Sequence, residues 1–195
     1  MKTVSRAFDS YAQARAAVDA VEKSGIPSKD VSIVANKYVS AEYADVDDVN
    51  KAAAGAGIGG AVGAGAGLLA GLGMLAIPGL GPVVAAGWLA STAAVAAGGA
   101  AAGGIVGALV DAGTDKEHAE VYSESVRRGG TLVTARVNDA DASRVEAILA
   151  TYRPIDPVAR GADYRKEGWT TFDPKAPAYR PNQTEIDRMR ANWPG

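Results

Sequence analysis

Residues 3–8 alternate apolar and polar side chains, as a half-buried strand does, and the period changes to that of a helix directly afterwards. Ser10 and Gln13 form a Ser-x-x-Gln capping box, and Ala14, Ala17, Val18 and Val21 then fall on one helical face. Gly25 and Pro27 stop that helix, and residues 31–35 read as a second strand. Much further along the chain the pattern returns. Thr114 and Glu117 make a second capping box, opening a helix with Ala119, Tyr122 and Val126 inward, and Gly129 and Gly130 end it. Residues 131–137 alternate as a strand. Asp139 or Asp141 then caps a helix that turns Val145, Ile148, Leu149 and Tyr152 inward, and residues 155–159 suggest a weaker fourth strand.

Two β-α-β units of this kind predict an α+β, ferredoxin-like domain: a four-stranded antiparallel sheet with its helices on one face. The alternative is a small parallel α/β sheet in which the helix near 115–128 is a crossover. The domain is split, occupying residues 1–50 and 114–160, with residues 51–113 inserted between its second and third strands and residues 161–195 following as an arm. Four prolines from Pro174 to Pro194 and few aliphatic side chains argue against a core in that arm, although a short capped helix is expected after Thr184. Trp169, Phe172, Tyr179 and Trp193 are its candidates for docking, on its own domain or on a neighbouring subunit.

The insert has a different pattern altogether. No charged side chain occurs between Lys51 and Asp111, and Gly55, Gly59, Gly63, Gly67 and Gly71 recur every fourth residue. On a helix this glycine zipper is a stripe without side chains, along which another backbone can approach closely. Pro78, Gly79, Gly81 and Pro82 mark a turn, dividing the insert into a helix over about 50–76 and a second over about 83–112. Each is long enough, at ~1.5 Å per residue, to cross a hydrocarbon core of ~30 Å. In the second helix Ala86, Ala90, Ala93, Ala97, Ala100 and Gly104 follow the three-four spacing of a packing seam. The expectation is a helical hairpin with a smooth and a bulky face on each arm, one that persists only with a bilayer, a partner or an assembly around its glycine-rich helices.

Composition narrows the chemistry. Twenty Lys and Arg against 22 Asp and Glu give a net charge of −2, which supplies no footprint for nucleic acid. There is no cysteine and only one histidine, His118, placed for a helical surface, so thiol catalysis and thiolate metal sites are excluded and no catalytic, cofactor or metal residues are predicted. Glu42, Asp45, Asp47 and Asp48 read as a solvated acidic loop rather than a calcium site. The glycines match no phosphate-binding loop. Any small-molecule ligand is left open. The opening MKTVSRAFDSYAQAR has no apolar signal core, which predicts a cytoplasmic domain associated with the inner membrane, the alternative being a soluble cytoplasmic assembly.

The order of a β-α-β start, an insert centred on LAIPGLGPVVAAG, then VYSESVRRGGTLVTARV, a helix, and GWTTFDP resembles the bacterial general stress proteins of the heat- or low-temperature-induced type, over about residues 3–175. The Pro-Gly-Leu-Gly-Pro turn and Arg127-Arg128-Gly129-Gly130 are the most specific pieces. One departure is Pro154-Ile155-Asp156-Pro157, where that family reads as an uninterrupted acidic strand. The resemblance implies a stress-associated, non-enzymatic role with membrane association. The function expected is therefore that of a stress-response protein that homo-oligomerises through its zipper hairpin in or on membrane lipid. The alternative is a soluble ring, cage or filament that buries the hairpins; a ligand-sensing module is a weaker third.

Overall fold

The computed structural model describes residues 1–36, 73–77, 81–89 and 104–176. Among them the strands are β1 (Lys2–Phe8), β2 (Val31–Asn36), β3 (Gly73–Ile77), β4 (Gly81–Gly87) and β5 (Thr131–Val137). The helices are α1 (Tyr11–Lys23), α2 (Gly104–Asp111), α3 (Lys116–Arg127), α4 (Asp139–Thr151) and α5 (Pro157–Lys166). The strands form one antiparallel sheet in the order β1-β5-β2-β4-β3. β5 lies between β1 and β2, so those two run in the same direction and the parallel-sheet alternative is overturned.

The predicted caps hold at the first helix. The Gln13 amide donates to Ser10 Oγ at 3.3 Å, and Ser10 Oγ donates to Gln13 Oε1 at 3.2 Å. At α3 the cap lies one residue later than predicted: Asp115 accepts from the amides of Glu117 and His118, while the Thr114 hydroxyl is occupied with Ser5 Oγ at 3.1 Å. Asn138 stands at the N-cap of α4 with no side-chain cap bond, so neither Asp139 nor Asp141 is the capping residue.

Helices cover both faces of the sheet rather than one. Val18 and Val21 of α1 and Val145 and Leu149 of α4 pack with Val31, Ile33, Val133 and Ala135 on one side. On the other, Ile105 and Leu109 of α2 and Tyr122 and Val126 of α3 pack with Ala7, Val34, Ala85 and Leu132. Every residue of β2 is buried, which requires both layers, because a strand sends alternate side chains to opposite faces.

The fourth strand predicted at residues 155–159 is absent. The Ile155 amide makes one bond to the Ala7 carbonyl, at 2.8 Å, and then Asp156 caps α5, whose first residue is Pro157. Proline at the first helical position lacks only a donor that would have had no partner there. The sheet grows on the opposite side instead, through β4 and β3.

Those two strands correct the helical hairpin. Residues 73–76, expected to end the first helix, begin β3, and residues 83–87, expected to begin the second, lie in β4. Ile77 pairs with Gly81, so the Pro-Gly signal does mark a reversal, but between strands. Val83 and Val84 favour a pleated surface, Pro82 has no amide to give a helix, and Gly87 sits at φ +85°. Of the described residues in the second predicted helix, 88–89 and 104–111 are helical. No described helix is long and apolar enough to cross a membrane, which removes the predicted transmembrane hairpin from these residues.

A Cβ added at Gly87 would lie inside the envelope of the Val31 carbonyl oxygen and 2.7 Å from Ser32 Cα, both backbone atoms. Gly87→Ala is therefore expected to cost about 2–4 kcal/mol through strain at positive φ and displacement of β4. Urea denaturation measures the loss, and faster amide exchange in β2 would localise it; unchanged stability would mean that β4 does not seat against β2.

Candidate functional site

The densest polar arrangement is built where α3 ends. Glu124 is 1% exposed and accepts from Arg127 Nε at 2.7 Å, Arg127 Nη2 at 2.5 Å and Arg128 Nε at 2.6 Å. Helical spacing explains the encounter, since residues three and four apart share a face. A buried carboxylate so held satisfies its charge through several charge-assisted bonds.

The same helix end is closed by two glycines. Gly129, at φ +106°, donates to the Val126 carbonyl, and Gly130 donates to that of Ser125, the paired bonds of a Schellman stop. A Cβ on Gly130 would meet the Phe8 carbonyl oxygen at 2.9 Å, so the absence of a side chain lets the end of α3 lie against the end of β1. Asn36, last residue of β2, donates from Nδ2 to the Arg127 carbonyl at 3.1 Å. Three chain ends meet here.

α5 closes the arrangement from outside. Arg128 also pairs with Glu167 and stands over the Tyr164 ring, 4.2 Å from its centroid. Partial burial works against its charge, but the bonds to Glu124 and Glu167 outweigh that and raise its pKa above the usual guanidinium range. Arg160 bonds Asp9 through both terminal nitrogens, at 2.7 and 2.9 Å, and this pairing raises its pKa too. Beyond α5, Trp169 meets Tyr164 edge-on at 5.9 Å, Thr171 Oγ1 donates to Glu120 at 2.8 Å, and Phe172 is buried in the second core. Thr171 and Phe172 thus dock the first part of the arm on its own domain, while Trp169 packs on Tyr164 and Arg165 of α5.

The remaining candidates are placed as follows. Ala86 is buried in β4 within the first core, Gly104 begins α2, and Gly81 and Pro82 lie in β4. Gly55, Gly59, Gly63, Gly67, Gly71, Pro78, Gly79, Ala90, Ala93, Ala97, Ala100, Tyr179 and Trp193 lie outside the described residues, as do the acidic Glu42, Asp45, Asp47 and Asp48. His118 lies half-buried in the first turn of α3, its ring 6.4 Å from that of Tyr122. Among the described residues no group of three or more His, Asp or Glu side chains could hold a metal ion.

Sequence reasoning missed Glu124, Glu167, Tyr164 and the Asp9–Arg160 pair. Glu124 was within reach, because a Glu on the inward side of a helix with Arg at i+3 and i+4 is a paired carboxylate in waiting. The contacts to Glu167 and Asp9 span 39 and 151 residues and leave no local signal. No family model, curated protein or solved structure matches the chain.

Replacing Arg127 and Arg128 together by alanine would leave Glu124 buried without its cations and is expected to destabilise the fold by about 3–5 kcal/mol. Chemical denaturation followed by tryptophan fluorescence reads it, and a loss under about 1 kcal/mol would place Glu124 in water rather than in the fold.

Tyr122 supplies a pH dependence. Burial raises its pKa from 10.0, with Arg6 opposing. Above pH 10 the unfolded chain ionises this phenol while the folded chain keeps it protonated, so the unfolded state binds fewer protons and stability falls as pH rises. Thermal melts from pH 8 to 11 should show a smaller alkaline loss for Tyr122→Phe than for the parent chain.

Proposed function

We propose that the protein is a non-enzymatic, stress-associated assembly protein, in which the uncharged segment between β2 and β3 is the adhesive element and the α/β body holds it. The observation that carries this is topological. β2 and β3 run in the same direction with β4 between them, and residues 37–72, with all five zipper glycines, connect the end of β2 at Asn36 to the start of β3 at Gly73. Asn36 is tied to the end of α3, beside the Glu124 cluster. The polar cluster joins chain ends within the body, a structural rather than a chemical task, and that supports the non-enzymatic reading. The stress association rests on the motif resemblance alone.

A second copy of the chain is the favoured partner over a bilayer. Part of the bulk in the uncharged run, Met74, Leu75, Ile77, Val83 and Val84, belongs to strands of the sheet. The sequence outside them is mostly glycine and alanine, which contribute little transfer energy to lipid but pack closely with one another.

Light scattering on the full chain tests this. A defined multimer is expected, and Gly63→Leu should shift it to smaller species while the melting temperature of the body is kept; Leu69→Ala should shift it less. A monomer at all concentrations, or flotation of the chain with lipid vesicles in place of self-association, would overturn the reading.

A further inference from the structure

The two edges of the sheet are finished differently. On β1 two of the outer carbonyls are taken: Arg6 Nη1 donates to the Ser5 carbonyl at 2.8 Å, and the Ile155 amide donates to that of Ala7 at 2.8 Å. β1 also carries Lys2 and Arg6, and charged side chains are a common guard on a strand edge. β3 has the sequence Gly-Met-Leu-Ala-Ile, with no charge and no proline, and its nearest charged neighbours in sequence are Lys51 and Asp111. Among the described residues β4 alone pairs with it, and no strand lies on its outer side. An edge of this kind offers a row of backbone donors and acceptors to another strand.

We propose that the outer edge of β3 pairs antiparallel with β3 of a second copy, about a two-fold axis through Leu75, joining two five-stranded sheets into one of ten. This rests on the self-association reading and names a surface for it. An antiparallel pairing of a segment with itself is self-complementary, with Gly73 opposite Ile77, Met74 opposite Ala76, and Leu75 opposite its own copy. The absence of charge along β3 removes the repulsion that identical facing strands otherwise meet.

The chain has no cysteine, so an introduced thiol reports without background. Residues directly opposite across antiparallel strands have Cα atoms about 4.5–5.5 Å apart, inside the range for a disulfide. At the ends of the pairing, two copies of position 77 would stand roughly 14 Å apart, four residues off register. Leu75→Cys in the full chain, oxidised with glutathione disulfide, should therefore give a covalent dimer at least ~10-fold faster than Ile77→Cys. Circular dichroism and thermal melts check that each variant folds. Should Leu75→Cys fail to fold, an equimolar mixture of Met74→Cys and Ala76→Cys chains should link as the heterodimer. Equal linking at 75 and 77, or none in a chain that light scattering shows to be multimeric, overturns the β3 pairing and leaves self-association standing. A parent chain that stays monomeric overturns both.

Discussion

Burial of β2 and β5 on both faces governs the rest of the architecture. Val31, Ile33 and Ala35 point into one core, and Val34 and Leu132 into the other, so neither layer of helices can be removed without exposing the middle of the sheet. α1 and α4 alone would satisfy a two-layer fold. The second layer is supplied from elsewhere: α2 comes from the end of the uncharged run, and α3 and α5 close over it. The uncharged run thus contributes to the body through its middle and its end, since β3 and β4 extend the sheet and α2 helps to cover it.

The polar cluster at the end of α3 follows from the same constraint. With helices on both faces, the ends of β1 and β2 must pass the end of α3 closely, and backbone groups there need partners. Gly129 and Gly130 satisfy two helix carbonyls while removing the side chains that would hold the strands away. Glu124 orients Arg127 and Arg128, and Arg128 carries the connection outward to Glu167 and Tyr164. Arg127-Arg128-Gly129-Gly130 is explained as a helix stop and a clamp, and GWTTFDP as the segment that seats Phe172.

Elements with strong local signals were legible in the sequence. β1, β2, β5, α1, α3 and α4 all announce themselves through period, caps and glycine stops, and β5 was read with its observed bounds. The hairpin was misread for a physical reason. Met74 to Ile77 and Val83 to Ala86 are short, continuously apolar stretches, and such stretches fit a buried strand and a buried helix equally by period. The β-branched pair Val83-Val84, with glycine and proline on either side, was the evidence for strands. α5 was misread because the proline at 157 was taken as a break in a strand, when Asp156-Pro157 is an N-cap followed by a favoured first residue. The contacts of the clamp were legible only within α3, where Glu124 and its arginines are near in sequence. Their partners on α5 and after β1 come from the tertiary fold and could not be read locally.

The finish of the sheet edges ties the fold to the assembly reading. A sheet that ended at β2 would expose a strand buried along its full length, so β4 must cover it, and β3 in turn covers β4. Extension moves the edge without abolishing it, and charge, caps and pairing are among the ways an edge is blunted. β1 is charged and capped, by Arg6 and Ile155. β3 has neither a charge of its own nor one near it in the chain, because the uncharged run that supplies it extends far to either side. The absence of charge along this run leaves β3 without the charged guard that β1 carries, and among the described residues β4 alone pairs with it.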